Sequence, residues 1–413
     1  VIEPVGDEAE ASIRIGGYRD LSGHVRRKLD QFTLKRSFSL ASIAVVIGGL
    51  FLFVAPLDNY LVTRRLRRPL LGWLTFSTVA VACSVALIAA ARPVAINPQS
   101  ASSGQSSSAA TPLALARMNS MEFLDVDLAT GLSRLHRWGF VYSHHAATVS
   151  LKSSPTPLLA DWLTETDHFL LAPFGYPGRD LGGIQIETNA APQTVSIRAS
   201  QRGSRADAFE SLIDQSPLLP RSSKSIAVSV QASCDSAVES LQMQAGTELL
   251  QGQLKNPFPA DLLDGMLIYQ NWVYFLPSRF PVGGIISNLD TLRQKNFRWQ
   301  LSRQRALESS SEGESWNVID VESTQRLAEM LMFHESAGGV RYTSLQHEIL
   351  GDLDFSHLLN ADRAFLVGRV AQPWTEITMN DQLLSGESLS MVRGVWPVRP
   401  AKSSLTGSTI IDD

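Results

Sequence analysis

Two uncharged apolar runs near the N-terminal end dominate the hydrophobic pattern of this chain. They cover residues 38–57 and 70–91, and a short polar segment separates them. An α-helix rises about 1.5 Å per residue, so about 20 residues span the roughly 30 Å hydrocarbon layer of a bilayer. The pattern therefore predicts two transmembrane helices joined as a hairpin, with the lipid bilayer as their partner.

Charged residues around these runs predict the orientation of the hairpin. The polar connection carries Arg64, Arg65, Arg67 and Arg68. After Arg92 no Lys or Arg follows until Arg117, so the positive-inside rule places the connection in the cytoplasm and the chain beyond residue 91 outside it. Trp73, near the start of the second run, is expected at the membrane interface. Basic residues between positions 26 and 36 favour the opposite orientation of the first helix, but the flanks of the second run differ more strongly.

Beyond a Ser-rich linker at residues 92–112, the pattern changes to short segments that are typical of β-strands. Residues 121–128 alternate between apolar and polar positions, as a half-buried strand does. Further strands are expected at 132–143, 149–151, 184–186, 194–197, 226–230, 246–254, 267–276 and 364–370. Helical spacing occurs at 205–214 and more clearly at 323–333, and residues 343–350 are expected to add a helical turn. Many short strands separated by Gly and Pro indicate sandwich-like β-domains.

The expected fold class is a membrane α-hairpin plus a mainly-β (α+β), sandwich-like soluble region. The predicted segments are a polar N-terminal segment (1–37), the hairpin (38–91), the linker (92–112), a β-rich domain (113–225), a second β-rich domain with a short helical insertion (226–400) and a flexible tail (401–413). Residues 21–38 carry apolar positions at helical spacing, with Ser22 as a candidate N-cap. They are expected to be either an interfacial helix or the tail of a missing upstream domain.

Composition narrows the class of protein. A length of 413 residues suggests more than one folded unit, and the net charge of -4 gives no reason to expect nucleic acid as a partner. Cys83 lies in an apolar run and Cys234 in a distant polar one, so no disulfide is expected. The chain begins with Val1 rather than Met, and we expect it to be a processed form or a fragment of a longer protein.

Two His-Glu pairs, His334-Glu335 and His347-Glu348, suggest a metalloprotease. That zinc motif needs a second His four residues after the first, and Gly occupies positions 338 and 351 instead. The adjacent His144 and His145 would point to opposite faces of a strand. We therefore predict no metal ligand, no cofactor and no catalytic residue.

Other candidate chemistry is equally weak. An acidic cluster lacks the spacing of a calcium loop. It consists of Asp352, Asp354 and Asp362, with His357 nearby. Phosphate-binding loops and a nucleophile elbow are absent from the sequence. Six scattered tryptophans could line a carbohydrate or peptide groove, but core packing is the preferred interpretation. They are Trp138, Trp162, Trp272, Trp299, Trp316 and Trp374.

Three functions remain open. We expect first a non-enzymatic protein of the bacterial inner membrane, whose extracytoplasmic β-region binds an envelope partner or serves as a scaffold. The alternative is an envelope hydrolase with a site assembled from distant residues such as His334, Glu335, Asp352 and His357. A cleft that holds at least three of these side chains would favour it. A transporter subunit is disfavoured because the apolar runs carry no charged residue.

The segment PLDNYLVTRRLRRPLLGWLTF, at Pro56–Phe76, resembles the hairpin of a group of uncharacterised planctomycete-type bacterial membrane proteins. In that group a GPLDY-like helix exit leads through a basic turn into an LTW-TFP-like start of the next helix. Here Ala55 replaces the Gly, Asn59-Tyr60 the Tyr, and Ser77 the Pro. FLDVDLATG and YPGRDLGGIQ are also similar to the group.

This resemblance implies no known activity. It implies a larger parent protein in which the hairpin follows an extracytoplasmic domain of von Willebrand factor A or glutamine-amidotransferase-like type. That upstream domain would be a partner of the β-region. The segment LQGQLKNPFPADLLDGMLIY, at residues 250–269, resembles an immunoglobulin-like module.

Overall fold

A computed structural model describes residues 20–32, 81, 116–143, 147–174, 196–198, 200–203, 210–219, 222–236, 238–303, 305–306, 311–312, 316 and 323–400. The two predicted transmembrane runs lie outside the described residues, apart from Val81. So do Trp73, the arginine-rich connection, the linker and the tail. Within the described ranges, no helix combines the length and the apolar character that a membrane crossing needs.

The described residues at 20–31 and 116–400 form one compact unit, and residues 32–115 belong to another. The strands of the first unit are β1 (Arg117–Asp127), β2 (Leu132–Ser143), β3 (Ala147–Pro155), β4 (Leu163–Pro173), β5 (Ser196–Arg198), β6 (Ser200–Gly203), β7 (Ser211–Leu218), β8 (Ser222–Cys234), β9 (Leu241–Met243), β10 (Leu250–Gln251), β11 (Leu254–Lys255), β12 (Leu262–Tyr269), β13 (Trp272–Phe275), β14 (Arg279–Phe280), β15 (Ile285–Ile286), β16 (Arg293–Asn296), β17 (Arg305–Ala306), β18 (Ser311–Glu312), β19 (Arg363–Val370), β20 (Thr375–Met379), β21 (Gln382–Leu383) and β22 (Ser388–Arg399).

Helices are fewer and shorter in this unit. They are α1 (Leu21–Leu29), α2 (Pro157–Trp162), α3 (Phe297–Leu301), α4 (Thr324–Ala337) and α5 (Val340–Thr343), with 3-10 turns at Leu289–Thr291, Gly351–Leu353 and Ser356–Leu358. The prediction of a mainly-β region is confirmed.

Most strands join one mixed sheet of 13 strands. Its main path runs β16-β13-β12-β19-β22-β1-β2-β8-β4-β6, and β9, β10 and β14 pair at its side. Most neighbours are antiparallel, but β22 lies parallel to β1 and to β9. The boundary that we expected between residues 225 and 226 falls inside β8, and strands on both sides of it share this sheet.

A second sheet of five strands, in the order β21-β20-β3-β7-β5, contacts the large sheet through buried polar side chains. Arg137 of β2 donates to the carbonyl and hydroxyl oxygens of Thr375 in β20. Glu122 of β1 accepts hydrogen bonds from Trp374 N and from the Thr375 and Ser390 hydroxyls. Burial raises the pKa of the Glu122 carboxyl, and the Arg137 guanidinium, 3.8 Å away, opposes that rise.

Four predicted elements are wrong. The strand expected at 246–254 is a turn at 246–249 followed by the separate two-residue strands β10 and β11, and the helical turn expected at 343–350 is absent because α5 ends at Thr343. The other two are a strand and a helix.

The stretch expected as one strand at 267–276 is a hairpin, in which Tyr269 pairs with Trp272 across a two-residue turn. Gln270 has a φ of 49° in this turn, and the polar pair Gln270-Asn271 is the only break in the otherwise apolar stretch predicted as one strand. The helix expected at 205–214 is contradicted in its described part, because β7 begins at Ser211. Its alternate residues are buried while it pairs with β3 and β5, and this pairing overrides the local helical spacing.

Asp20 precedes helix α1 and its carboxylate accepts the Ser22 N–H at 2.8 Å, so Asp20 and not Ser22 is the N-cap. Leu21, Val25 and Leu29 form an i, i+4, i+8 stripe that is buried in the β-rich unit. This burial disagrees with an interfacial helix lying on lipid.

Candidate functional site

Helix α4 is kinked at Phe333, where φ is -146° and ψ is 42°. An unbroken helix would pair the N–H of residue 335 with the carbonyl of residue 331, and the N–H of 336 with the carbonyl of 332. All four groups take partners from the segment at 347–356. His347 Nε2 lies 2.9 Å from the Leu331 carbonyl, and Phe355 N donates to the Met332 carbonyl at 2.8 Å.

The two N–H groups at the kink bind side chains from the same segment. Glu335 N donates to Asp354 Oδ2 at 3.0 Å, and Ser336 N donates to Ser356 Oγ at 2.9 Å. The kink is therefore fully hydrogen-bonded, as buried backbone requires. Side chains of residues 334–336 and 346–357 are brought together as a result.

A cleft of about 620 Å³ opens at this kink. We call it the helix-break cleft and define it by His334, Glu335, His347, Glu348, Asp354 and His357. Its volume is that of a small-molecule pocket, roughly 300–1,000 Å³. Glu335, Glu348 and His357 are exposed, whereas His334 and Asp354 are buried.

Two histidines of the cleft, His334 and His347, are held in place by contacts of their rings. His334 Nε2 lies 3.0 Å from the Thr343 hydroxyl, and its Nδ1 lies 4.0 Å from Glu335 Oε1. The His347 ring is 5.5 Å from the His334 ring, at 71° to it. Since the Leu331 carbonyl can only accept, His347 carries its proton on Nε2. Desolvation lowers the pKa of His347, which favours its neutral form.

Three of the four side chains named for the alternative function share this cleft. His334, Glu335 and His357 line it, and Asp352 does not. Among the described residues, no group of three or more His, Cys, Asp or Glu is arranged to hold a metal ion. His144 and His145 lie outside the described residues. The sequence did not predict that His347 and Asp354 bind the backbone of α4, because both contacts depend on a helix kink that no local sequence pattern indicates.

Helix α1 reaches the wall of the cleft. Asp20 Oδ2 accepts Glu348 N at 2.8 Å, and Leu21 N donates to the Gln346 carbonyl at 2.9 Å. On α1 itself, desolvation and Arg27 lower the pKa of His24 to about 4, against a smaller opposing effect of Asp20. The N-terminal segment is thus joined to the loop that carries His347 and Glu348.

A second cavity of about 650 Å³ lies elsewhere on the same unit. We call it the aromatic groove, lined by Trp162, Phe258, Trp396, Lys255, Glu239 and Val282. The Trp162 and Phe258 rings meet edge to face at 6.1 Å, and Trp396 Nε1 donates to the Glu239 carbonyl at 2.8 Å. Val282 is 55% exposed at its edge.

The tryptophans considered for a binding groove and Cys234 lie outside the helix-break cleft. Trp374 and Trp138 are buried, as the core-packing interpretation expected, while Trp299 is 38% exposed. The Cys234 thiol donates to the Gly131 carbonyl, and burial raises its pKa to about 11, so it is a poor nucleophile at neutral pH. No protein-family model matches the chain, and neither does any curated protein.

Proposed function

We propose that this chain is a non-enzymatic protein of the bacterial inner membrane, anchored by the hairpin at 38–91, with its β-rich unit outside the cytoplasm. The observation that carries the proposal is the joint folding of residues 20–31 with residues 116–400. Both apolar runs lie between these two segments. The chain must therefore leave and re-enter the same folded unit, as a membrane hairpin allows.

Specific contacts support this joint folding. Asn119 Nδ2 donates to the carbonyls of Leu29 and Gln31, at 3.1 and 2.8 Å. Two membrane crossings keep these partners on one side, whereas a single crossing would separate them. The basic residues of α1 then share the side of the β-rich unit. Orientation rests on the four arginines of the connection.

The β-rich unit supplies the partner-binding function in this proposal. We propose a sandwich-like scaffold, with an immunoglobulin-like module at 250–269, whose aromatic groove receives an envelope partner or the upstream domain of the same parent chain. Aromatic rings, a basic residue and the exposed Val282 next to one another are typical of a recognition surface. The resemblance of the hairpin to planctomycete-type membrane proteins favours the same envelope location.

Topology labelling tests the anchor. Single cysteines are introduced as Arg27→Cys on α1, Asn360→Cys in the β-rich unit and Thr63→Cys in the connection, in a background without Cys83 and Cys234. In spheroplasts, we expect a membrane-impermeant maleimide to label positions 27 and 360, and position 63 only after lysis. Labelling of 27 and 360 from opposite sides would refute the hairpin. Labelling of both only after lysis would place the unit in the cytoplasm.

A second candidate is hydrolysis of envelope material at the helix-break cleft. It is favoured by the presence of His334, Glu335 and His357 in one cleft and by the neutral His347 as a candidate base. Release of soluble fragments from isolated envelopes tests it. Loss of that release in Glu335→Gln, with retention in Asp352→Asn outside the cleft, would identify an enzyme. Equal release with and without the protein would exclude this activity.

A further inference from the structure

The helix-break cleft presents acceptors to a ligand. The Glu335 and Glu348 carboxylates are exposed on its walls, and Asp354 lies buried beneath them. No Lys or Arg occurs among the described residues that line it. Backbone donors near it are already bound within the fold. They are Glu335 N to Asp354, Ser336 N to Ser356, and Glu348 N to Asp20.

These contacts decide the charge of a suitable ligand. Unpaired N–H groups at the start of a helical segment would attract an anion. Here the N–H groups after the kink at Phe333 bind Asp354 and Ser356 instead, so they cannot hold a phosphate or a carboxylate. The exposed carboxylates leave the cleft negative, and a cation is favoured.

Two histidines lie beside these carboxylates, His334 buried and His347 half-buried. His334, 2% exposed, has its Nδ1 4.0 Å from Glu335 Oε1 while Nε2 is engaged by Thr343. His347 is kept neutral by its lowered pKa, so its ring does not oppose a bound cation. Val340, 52% exposed in the same cleft, offers an apolar surface beside the charged groups.

We propose that the helix-break cleft binds a primary alkylammonium group, such as a lysine side chain. Glu335 and Glu348 are its carboxylate partners, and its alkyl stem contacts Val340. An ammonium group has three donors and no acceptor, which matches a cleft lined by acceptors. The described residues offer no preformed group of three metal ligands, so an organic cation fits better than a metal ion. Ammonium binding here is independent of the aromatic groove and of the membrane topology.

Ligand-observed NMR on the 413-residue chain in detergent tests this proposal, with Nα-acetyl-lysine amide as the probe. We expect saturable binding that weakens with added salt and disappears when the probe is also acetylated on Nε. Glu335→Gln and Glu348→Gln should each weaken binding about three- to tenfold. Asp352→Asn removes a neighbouring exposed carboxylate that does not line the cleft, and it should leave affinity unchanged.

Several outcomes would overturn ammonium binding. They are the absence of saturable binding, equal binding of the Nε-acetylated probe, and equal weakening in Asp352→Asn. Stronger binding of inorganic phosphate than of the amine would reverse the assigned charge. Cadaverine serves as a second probe. Tighter binding of cadaverine indicates a free amine, and tighter binding of the lysine derivative indicates a peptide. Near-ultraviolet circular dichroism checks that each variant remains folded.

Discussion

Arg393, in β22, connects the large sheet to the segment that forms the helix-break cleft. Its side chain is fully buried and pairs with both carboxylate oxygens of Asp125, at 2.5 and 2.7 Å. The guanidinium also donates to the Leu353 carbonyl and stacks 3.8 Å from the Phe355 ring centre. Asp354, which binds Glu335 N, stands between those two residues. Arg393 thus contacts the residues on both sides of Asp354, which lines the cleft.

We expect Arg393→Met to lower the free energy of unfolding by about 3–5 kcal/mol, because it leaves the Asp125 carboxylate without its buried partner. Arg369→Met is the matched control. Its ion pair with Asp264 is 3.2 Å long but largely exposed, so its loss should cost less than about 1 kcal/mol. Denaturant unfolding in detergent, followed by near-ultraviolet circular dichroism, measures both. Equal costs would contradict the structural role given to Arg393.

At the scale of elements, the sequence predicted the helices and strands whose pattern of apolar and polar residues lies within the element itself. The strands predicted at 121–128 and 132–143 are observed as β1 and β2, which pair as a hairpin, because β1 shows the expected alternation of apolar and polar residues and a short turn separates the two. Helix α4 was predicted at 323–333 from its helical spacing, and it is observed at Thr324–Ala337 with Ser323 as its N-cap. The turn at Gln270 was missed, since apolar residues run through both strands around it. The kink at Phe333 could not be predicted, because its four hydrogen-bond partners lie 14 to 23 residues further along the chain.

Docking of α1 should depend on pH. Desolvation holds the pKa of His24 at about 4 and also lowers the pKa of His347, whereas an exposed histidine has a pKa of about 6.5. Between pH 6.5 and 4 the undocked state binds more protons than the docked state, so docking weakens as pH falls through this window. Arg27 further lowers the pKa of His24, and Asp20 opposes this. His334 further lowers the pKa of His347, and Asp354 and Asp20 oppose this. The loss for His24 alone amounts to at most about 3 kcal/mol.

Hydrogen exchange of the Val25 and Leu29 amides, corrected for the intrinsic pH dependence of exchange, measures this docking. We expect faster opening at pH 5 than at pH 7.5, and a smaller difference in His24→Gln. His357→Gln, at an exposed histidine, should keep the full difference. An opening rate that does not change with pH, or a His24→Gln chain that matches the parent, would contradict the role of His24.

At the scale of the whole molecule, distant parts of the sequence meet at two buried polar contacts. Asp20 joins the N-terminal helix to the loop at 346–348. Glu122 and Arg137, both in the large sheet, join it to the second sheet by binding Thr375. Glu122 and Arg137 are opposite each other in the β1–β2 hairpin, but their partner Thr375 lies 238 residues beyond Arg137, and Asp20 lies 328 residues before Glu348. Local spacing therefore predicts neither the contact between the sheets nor the contact of the N-terminal helix. This explains why the strands could be predicted from the sequence while the candidate sites could not.

Glu122 and Arg137 should behave as a coupled pair. Glu122→Leu alone leaves the buried Arg137 guanidinium beside an apolar group, so we expect a loss of about 3–5 kcal/mol in unfolding free energy. The double variant Glu122→Leu/Arg137→Met removes both charges and should cost less than the sum of the single variants, by about 1–3 kcal/mol. Denaturant unfolding of the four chains gives this coupling directly. Additive losses would mean that Glu122 and Arg137 contribute independently and would contradict their role as a coupled pair.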